Sequence, residues 1–466
     1  MGDGMQQLVD QINSYVWSPA LVYLCLAAGL FFSILTRFVQ VRMFKEMIHL
    51  LFSSKESEQG ISSFQALSVS LSGRVGTGNI AGVAAAIGFG GPGAVFWMWI
   101  VAFLGAATAY VESALGQIYK EEDEGQYRGG PAYYIEKAMG QKWYAWIFAL
   151  TTIIAVGLLL PTVQSNAIGN AVELAVGANG VLQTSIGDVS YTKLATATIV
   201  VSVLGIIIFG GVKRIAHFTQ IVVPFMALGY ILMALVIIGM HITALPGIIM
   251  TIVTDAFTPM AGVGAAIGWG VKRGVYSNEA GQGTGPHAAA ASEVQHPAQQ
   301  GLVQAFSVYV DTLFVCSATA FMILITNQYY VTGIESSISG GLLGTDIQAN
   351  SPAFTQLALE SVMGGFGKTF VAVALFFFAF TTLLAYYYIA ETNVAYIRRT
   401  FRFPGELTVL KVILLGSVFY GTVRTADLAW GLGDIGVGVM AWLNIIGILI
   451  LFLMGKPALK ALKDYE

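Results

Sequence analysis

Charged residues are scarce in this sequence. Asp, Glu, Lys and Arg make up only 11% of the 466 residues, whereas soluble domains usually carry about 25%. Hydrophobic residues account for 56%, and the mean hydropathy is +0.72. The composition therefore excludes an ordinary soluble domain and predicts a protein embedded in a lipid bilayer. The net charge of -3 offers no basis for binding nucleic acid.

Several functional signatures are also missing. The two cysteines, Cys25 and Cys316, lie in apolar stretches, where a disulfide framework is not expected. No Walker A motif is present, so this chain is not predicted to be an ATP-driven pump, and the five histidines show no metal-binding spacing. Glu112, Glu279 and Asp311 could serve a membrane-embedded enzyme, but no arranged nucleophile or metal set accompanies them. We therefore expect no enzyme and no bound cofactor.

Apolar stretches of about 20 residues, each long enough to cross about 30 Å of hydrocarbon as a helix, recur along the whole chain. We count eleven and predict an all-α polytopic membrane protein with eleven transmembrane helices. No Lys or Arg precedes the first stretch, which is therefore predicted to be a retained helix and not a signal peptide. The stretches are 16–36, 61–88, 92–119, 143–175, 190–210, 214–242, 258–290, 299–327, 350–390, 408–424 and 432–455.

Basic residues cluster in alternate connections, from Arg37 near the first stretch to Lys456 after the last. Short loops rich in Lys and Arg face the cytoplasm. The opposite connections contain no Lys or Arg, and they are 89–91, 176–189, 243–257, 328–349 and 425–431. Eleven crossings with the N-terminus outside and the C-terminus in the cytoplasm satisfy every loop. The predicted location is the plasma membrane.

Two of the eleven stretches are interrupted by glycine together with charged residues. They are the second, which contains LSGRVGTGNIAG, and the seventh, which contains GWGVKRGVYSNEAGQGTG. The first of these motifs also fits the glycine pattern of a dinucleotide-binding loop, but such a loop follows a strand in a βαβ unit. Unwound backbone is tolerated at membrane depth only where protein or a water-filled cavity satisfies its N–H and C=O groups. Both breaks therefore predict a buried site.

The positions of the two breaks indicate an internal repeat. When the first stretch is set aside, ten remain, and a broken stretch opens each group of five. Because five is odd, the two groups cross the membrane in opposite senses, as in secondary transporters whose broken helices carry the binding site near the midplane. The predicted parts are an extra transmembrane helix and cytoplasmic loop over 1–60, a first five-helix repeat over 61–257 and a second over 258–466.

The segment from Gly76 resembles the first two helices of LeuT-type neurotransmitter:sodium symporters, and it reads GTGNIAGVAAAIGFGGPGAVFWMWIVAFLGAATAYVESALGQ. GRVGTGNIAGV, GVKRGVYSNEAGQGTGPHAAAA and DTLFVCSATA together resemble more specifically the alanine or glycine:cation symporter family, over nearly the whole chain. The resemblance implies a LeuT-like 5+5 inverted repeat preceded by one extra helix. It also implies coupled uptake of small neutral amino acids such as alanine and glycine, with sodium as the coupling ion.

The resemblance also implies substrate-binding residues on the first broken helix and the fourth stretch. Thr77 and Gly78 match positions whose N–H groups meet the substrate carboxylate, and Asn79 matches a residue near a substrate-linked sodium. Gln164 matches a pocket-facing position, where its amide could bind the substrate or limit its size. The alternative is that Gln164, like Asn166, joins helices by hydrogen bonds.

On the seventh stretch the resemblance aligns GWG with one wall of the pocket. Val263, Gly264 and Ala266 would then present carbonyl groups to the substrate ammonium. Trp269 would fill volume and favour small substrates, although tryptophan in membrane proteins often serves packing instead.

A sodium site is implied between the second and ninth stretches. Ser72, Val75 and Phe378 match positions that supply backbone carbonyls, and Thr381 and Thr382 match hydroxyl ligands. Five oxygen ligands suit a hard cation. The alternative is that both threonine hydroxyls bond back to their own helix.

Six of the charged residues within the apolar stretches are notable, since a lone charge at membrane depth costs at least about 2.5–3.5 kcal/mol. They should therefore pair, and we expect Lys272, Arg273, Glu279 and Asp311 to form an ion-pair network in the cytoplasmic half that either operates an inner gate or serves structure alone. Asp311 also keeps open a proton-coupled mechanism. A passive channel is the other alternative to sodium symport. The six residues are Arg74, Glu112, Lys272, Arg273, Glu279 and Asp311.

Overall fold

The computed structural model describes residues 2–52, 61–184, 187–258 and 262–466. This part of the chain is predominantly helical, with two short antiparallel hairpins, β1 with β2 and β3 with β4. Three π-helical segments interrupt the helices, at Gly78–Gly82, Ala155–Leu159 and Tyr309–Cys316. The elements in order are α1 (Gly2–Val16), α2 (Pro19–Leu35), α3 (Val39–Arg42), α4 (Phe44–Phe52), α5 (Ser63–Arg74), α6 (Val83–Gly90), α7 (Gly93–Ile118), β1 (Glu121–Asp123), β2 (Gln126–Arg128), α8 (Pro131–Met139), α9 (Lys142–Ile154), α10 (Leu160–Val176), β3 (Val181–Thr184), β4 (Gly187–Ser190), α11 (Tyr191–Ile208), α12 (Val212–Met240), α13 (Leu245–Phe257), α14 (Val263–Asn278), α15 (Gly285–Ala291), α16 (Pro297–Val308), α17 (Ser317–Ile325), α18 (Ser336–Ser339), α19 (Ala353–Met363), α20 (Gly367–Arg398), α21 (Glu406–Val423), α22 (Ala426–Gly455) and α23 (Pro457–Tyr465).

Eight helices among the described residues are long and apolar enough to cross a membrane, or nine if the bent pair α1 and α2 forms one span. Each of the eight overlaps one of the predicted stretches, from the third (α7) to the eleventh (α22). Large apolar side chains on the outer helices are exposed, for example Phe225 and Leu228 on α12. Such surfaces are compatible with lipid and not with water. The prediction of a helical polytopic membrane protein is confirmed.

The predicted stretches 61–88 and 258–290 are the two broken helices. The first consists of α5, an unwound turn, a π-helical segment and α6, and the second consists of α14, a break over 279–284 and α15. In the second break Glu279, Gly281 and Gly283 have φ of 57°, 86° and 81°. Left-handed backbone of this kind cannot continue a right-handed helix and is easiest for glycine. Both interruptions therefore fall within the glycine-rich motifs that predicted them.

The boundaries differ from the prediction at two places. Residues 16–36 were predicted as the first span, but α1 precedes α2 at an angle of 42°, with Pro19 at the start of α2. Residues 350–390 were predicted as one span, but Gly364 and Gly365 separate α19 from α20 with φ of 42° and 51°. Hydropathy cannot detect this second division, because the sequence on both sides is apolar.

The packing encloses both breaks. Helix α7 contacts α14, α15 and α16, while α10 contacts α20, α21 and α22. Residues 66–86 of the first broken helix are buried throughout. The unwound backbone therefore lies inside protein and not against lipid, as the membrane environment requires.

Candidate functional site

The first break is held open by side chains from the same helix and from α10. Val75 leaves the helix with φ −77° and ψ 88°. Asn79 Oδ1 accepts the N–H of Gly76 at 2.8 Å, and Gln164 Oε1 accepts the N–H of Thr77 at 3.0 Å. Thr77, Asn79 and Gln164 are almost completely buried. The structure therefore brings together three of the residues predicted to contact substrate.

The first break also packs against α14, just before the second break. A Cβ placed on Gly78 would lie 3.1 Å from the Cα of Ser277, near the end of α14. The Gln164 carboxamide Nε2 lies 3.5 Å from the hydroxyl of Tyr276, also on α14. Gly78, the first residue of the π-helical segment, thus lies where the first break contacts α14.

Three backbone carbonyls and one hydroxyl converge where α20 crosses the end of α5. Thr382 Oγ1 lies 2.8 Å from the carbonyl oxygen of Ser72, 2.9 Å from that of Phe378 and 3.5 Å from that of Val75. A threonine hydroxyl has a single hydrogen to donate. The cluster therefore contains more acceptors than that hydrogen can satisfy, which is the arrangement a hard cation uses.

The hydroxyl of Thr381, the fifth predicted ligand, contacts its own helix and α12. Its Oγ1 lies 2.9 Å from the carbonyl oxygen of Phe377 and 3.0 Å from that of Phe378, with the Met226 sulfur at 3.8 Å. The hydroxyl is thus bonded back to its own helix, the alternative considered from the sequence. Adjacent residues on a helix point about 100° apart, so only one of the pair can face α5.

Gly76 allows these groups to approach the break. A Cβ at this position would lie 2.4 Å from Thr382 Oγ1 and 3.0 Å from Gln164 Oε1. Gly76→Ala must therefore push both side chains away, and overpacking of this kind costs about 1–3 kcal/mol. We expect uptake of substrate to fall at least about 10-fold, with a lower thermal unfolding midpoint in detergent.

The matched control for this substitution is Gly416→Ala on α21, since no atom of the described residues lies within 4 Å of a Cβ at Gly416. Both variants are compared by uptake into proteoliposomes at equal reconstituted protein. Similar uptake by the two variants would show that the close approach at Gly76 is not required.

Asp311 is a completely buried carboxylate beside the first break. Its Oδ1 accepts hydrogen bonds from Asn79 Nδ2 at 2.7 Å and from Ser277 Oγ at 3.0 Å, and its Oδ2 accepts one from Thr312 Oγ1 at 2.7 Å. All three donors are neutral. Because no cationic side chain among the described residues bonds directly to it, this carboxylate is suited to bind a proton or an alkali cation, either of which would lower the cost of the buried charge. Cys316 lies nearby, 3.3 Å from Asn79 Nδ2.

Glu112 on α7 holds the second break, a role that sequence reasoning missed. Its Oε1 accepts the N–H of Gly281 at 3.2 Å, and its Oε2 accepts the N–H of Gly283 at 3.1 Å and the amide of Asn444 at 2.6 Å. The carboxylate thus satisfies donors that the unwound backbone leaves free. The available signal in the sequence was a carboxylate within an apolar stretch, where it requires bonded partners.

Arg74 and Glu279 each approach the other broken helix, since a Cβ on Gly285 would lie 3.0 Å from Arg74 Nη2 and a Cβ on Gly73 would lie 3.3 Å from Glu279 Oε2. Arg74 donates from Nη1 to the carbonyl oxygen of Gln304 at 2.9 Å and to the Ser307 hydroxyl. Glu279 Oε2 accepts a hydrogen bond from Thr284 Oγ1 at 2.8 Å, across the second break. Both side chains are buried.

The predicted network of Lys272, Arg273, Glu279 and Asp311 does not form as one unit. Glu279 and Asp311 have the partners given above, whereas Lys272 and Arg273 both pair with Asp434 on α22. The Lys272 Nζ is 2.7 Å from Asp434 Oδ2, and Arg273 donates two hydrogen bonds to the carboxylate at 3.0 and 2.8 Å. Because α14 is regular through Asn278, Lys272 and Arg273 lie before the break and not beyond it.

This ion-pair cluster forms the floor of an open cavity of about 360 Å³, which we call the vestibule. Its lining includes residues of α1 and residues in or beside connections predicted to be extracellular, such as Phe89 and Asp427. The Arg273 guanidinium lies 4.2 Å from the centre of the Trp430 ring, a stacking distance. Lys272 and Arg273 thus lie on the side of the connections predicted to be extracellular, and their placement in the cytoplasmic half stays a prediction without geometric support.

Residues predicted to form a pocket wall on the seventh stretch lie away from the break. Val263, Gly264 and Ala266 are in the first turn of regular helix α14, well before the unwound residues. Their carbonyls therefore lie within helical backbone and not in an open turn. Trp269 stacks on Phe89 at 4.6 Å and lines the vestibule. The alignment of GWG with a Gly-aromatic-Gly motif predicted the pocket wall about three turns of helix before the break that the structure shows.

Comparison with known proteins decides the family. The model of the sodium:alanine symporter family matches residues 2–466. The chain belongs to the sodium:alanine symporter family. Its family transports amino acids, so this symporter is a membrane carrier and not an enzyme.

Three relatives show the extent of the similarity. The symporter is 57% identical to YrbD of Bacillus subtilis (strain 168), a candidate sodium/proton-dependent alanine carrier protein, over 99% of this chain and 93% of that one. It is 48% identical to a sodium/proton-dependent alanine carrier protein of Bacillus sp. (strain PS3), over 90% and 91%. It is 36% identical to the sodium/alanine symporter AgcS of Methanococcus maripaludis, over 95% and 94%.

Proposed function

We propose that this protein imports small neutral amino acids, alanine and glycine, together with sodium by alternating access. The observation that carries the proposal is the group of oxygens formed by Thr382 Oγ1 and the carbonyls of Ser72, Val75 and Phe378. It joins α20 to the first broken helix directly beside the break. Sodium bound there would hold the two helices together, and its release would let them separate.

The substrate would bind at the first break. Thr77, Gly78 and Asn79 supply backbone and side-chain donors inside protein, with Gln164 facing them from α10. Backbone N–H groups at a helix break attract a carboxylate. The first break also packs closely against α14 at Gly78 and Ser277, which favours a small substrate. Trp269 and the carbonyls of Val263, Gly264 and Ala266 stay predictions without geometric support.

The proposal includes the architecture implied by the resemblance. Eleven spans would form a LeuT-like 5+5 inverted repeat after an extra helix, with residues 61–257 and 258–466 as the repeats. The two broken helices, each opening a proposed repeat and packed against each other, support this arrangement. The protein would lie in the plasma membrane with its N-terminus outside, so that the vestibule opens to the exterior.

Gating would then involve different charged residues at the vestibule and on the cytoplasmic path. We assign Lys272 and Arg273, paired with Asp434, to closure of the vestibule, and Glu279 to the second break near the cytoplasmic path. Bidentate pairing of Arg273 with a buried carboxylate is strong and directional. Removing one partner of such a buried pair costs about 3–5 kcal/mol, because the other charge stays buried and unpaired. The intact pair would therefore keep this side closed, and opening would require the pair to separate into water.

A specific observation favours a second candidate, proton-coupled uptake. Asp311 is buried, contacts Asn79 at the substrate break and, within the part of the chain that the structure describes, accepts hydrogen bonds only from neutral donors. Intramembrane carboxylates often carry protons in transporters. Two relatives are also named as sodium/proton-dependent carriers.

The test is uptake of radiolabelled alanine into proteoliposomes that contain only this protein. An inward sodium gradient is compared with equal potassium and with an imposed proton gradient, and glycine and glutamine serve as competitors. Saturable accumulation driven by sodium supports the main proposal, and accumulation driven by protons alone supports the second. Passive equilibration under all conditions would indicate a channel, and no uptake of alanine or glycine would overturn the proposed substrate.

A further inference from the structure

Gln164 occupies the place at the first break that a substrate carboxylate needs. Its Oε1 accepts the N–H of Thr77 at 3.0 Å, and a Cβ on Gly76 would come within 3.0 Å of the same oxygen. A carboxamide oxygen is, like a carboxylate oxygen, an acceptor with two lone pairs, although it is neutral and therefore the weaker of the two. The side chain therefore satisfies the unwound backbone in the manner of a bound acid.

The donor end of the same carboxamide is held less firmly. Gln164 Nε2 reaches the Tyr276 hydroxyl at 3.5 Å, the outer limit of a hydrogen bond, and the Tyr386 hydroxyl also interacts with Gln164. Gln164 is 1% exposed, so water does not replace these contacts. The carboxamide is thus anchored mainly through its oxygen at the break.

Thr77 adds a second observation that points to a ligand. Its hydroxyl is buried and has no hydrogen-bond partner among the described residues. A buried hydroxyl without a partner costs about 1–3 kcal/mol, and a carboxylate accepting from both the N–H and the hydroxyl of Thr77 would remove that cost. Gln164 satisfies only the first of the two donors.

We propose that Gln164 is an internal competitor that must leave the Thr77 N–H before a substrate carboxylate can bind. The proposal rests on the proposed function, since it concerns the carboxylate end of the same substrate site. The carboxamide keeps the break satisfied in the unloaded protein and gives up the position to a ligand that satisfies both donors of Thr77. Gln164 is therefore a specificity-determining residue, because a ligand without a carboxylate would not satisfy both donors of Thr77 and could not displace the carboxamide.

The test compares wild-type protein with Gln164→Met, which keeps the volume but removes the amide, by titration calorimetry and thermal unfolding in detergent. Removal of one competing hydrogen bond should tighten alanine binding about 2- to 10-fold. Sodium acetate, at matched sodium chloride, should stabilise Gln164→Met in a saturable manner and leave the wild type unchanged. Gln164→Glu should weaken alanine binding at least about 10-fold, because it places a like charge beside the substrate carboxylate.

The control is Gln356→Met, which removes another fully buried glutamine, one that donates to the carbonyls of Ala171 and Lys368 away from the break. It should respond to acetate as the wild type does. If Gln164→Met does not fold, Gln164→Ala replaces it. Weaker alanine binding by the amide-free variant, with no acetate effect, would overturn the proposal and make Gln164 a direct ligand.

The acetate arm separates this proposal from the proposed function. A wild type that does not bind alanine, alongside a Gln164→Met variant that binds acetate, would remove alanine as the substrate and still support competition at Thr77. If the wild type binds alanine, but acetate does not stabilise Gln164→Met and this variant binds alanine no more tightly, the proposed function stands and competition by Gln164 is refuted.

Discussion

Thr382→Val should raise the sodium concentration required for alanine uptake by about 10- to 100-fold. The substitution keeps the shape of the side chain but removes the oxygen that lies among the carbonyls of Ser72, Val75 and Phe378. A bond to a charged group contributes about 1.5–3 kcal/mol, and each 1.4 kcal/mol corresponds to a factor of ten. The measurement is initial alanine uptake into proteoliposomes as a function of external sodium.

Thr381→Val is the matched control, because the two threonines are neighbours on α20 and equally buried. The Thr381 hydroxyl bonds to carbonyls of its own helix, so its loss should change the sodium requirement less than about threefold. Equal effects of both variants would show that the cation does not bind at the crossing of α5 and α20. A larger effect at Thr381 would favour the opposite face of α20.

Asp311→Asn should reduce the accumulation of alanine driven by an ion gradient at least about 10-fold. Exchange of internal for external alanine should stay within about threefold of the wild type. The reason is that the amide cannot take up a proton or balance a cation, although it nearly keeps the shape of the carboxylate. The variant also turns one acceptor into a donor that faces the existing donors Asn79, Ser277 and Thr312. Accumulation is measured under separate sodium and proton gradients, and exchange by counterflow.

The pattern of losses identifies the role of the carboxylate. Loss of proton-driven accumulation alone would make Asp311 the proton carrier, and loss of sodium-driven accumulation would place a cation at the carboxylate. Equal loss of accumulation and exchange, together with a lower unfolding midpoint, would indicate a structural role. Asp255→Asn is the control, since Asp255 is also buried but bonds to the N–H of Gly93 at the start of α7.

The two predictions concern sites that share the first broken helix. Ser72 and Val75 precede the break and contact α20, whereas Asn79 follows it and contacts Asp311 on the π-helical segment 309–316. Ligands bound on both sides of one break are coupled if each favours the same arrangement of that helix. The double variant Thr382→Val with Asp311→Asn would measure this coupling as a departure from additivity.

Local chemistry was sufficient to predict the class of protein and the position of both breaks. Long apolar stretches require helices in a bilayer, and glycine next to charge within such a stretch is incompatible with a continuous helix facing lipid. The resemblance then pointed to Ser72, Val75, Asn79 and Gln164, which the fold indeed gathers around the first break. The coupling ion and the binding roles of these residues stay predictions.

Only the tertiary structure decided which side chains meet. Asp434 pairs with Arg273 across 161 residues of sequence, and Thr382 reaches Ser72 across 310. Such contacts depend on how each helix is rotated about its axis, and a shift of one residue turns a side chain by about 100°. For this reason the sequence could not separate Thr382 from Thr381, place Lys272 and Arg273 at the vestibule, or assign Glu112 to the second break.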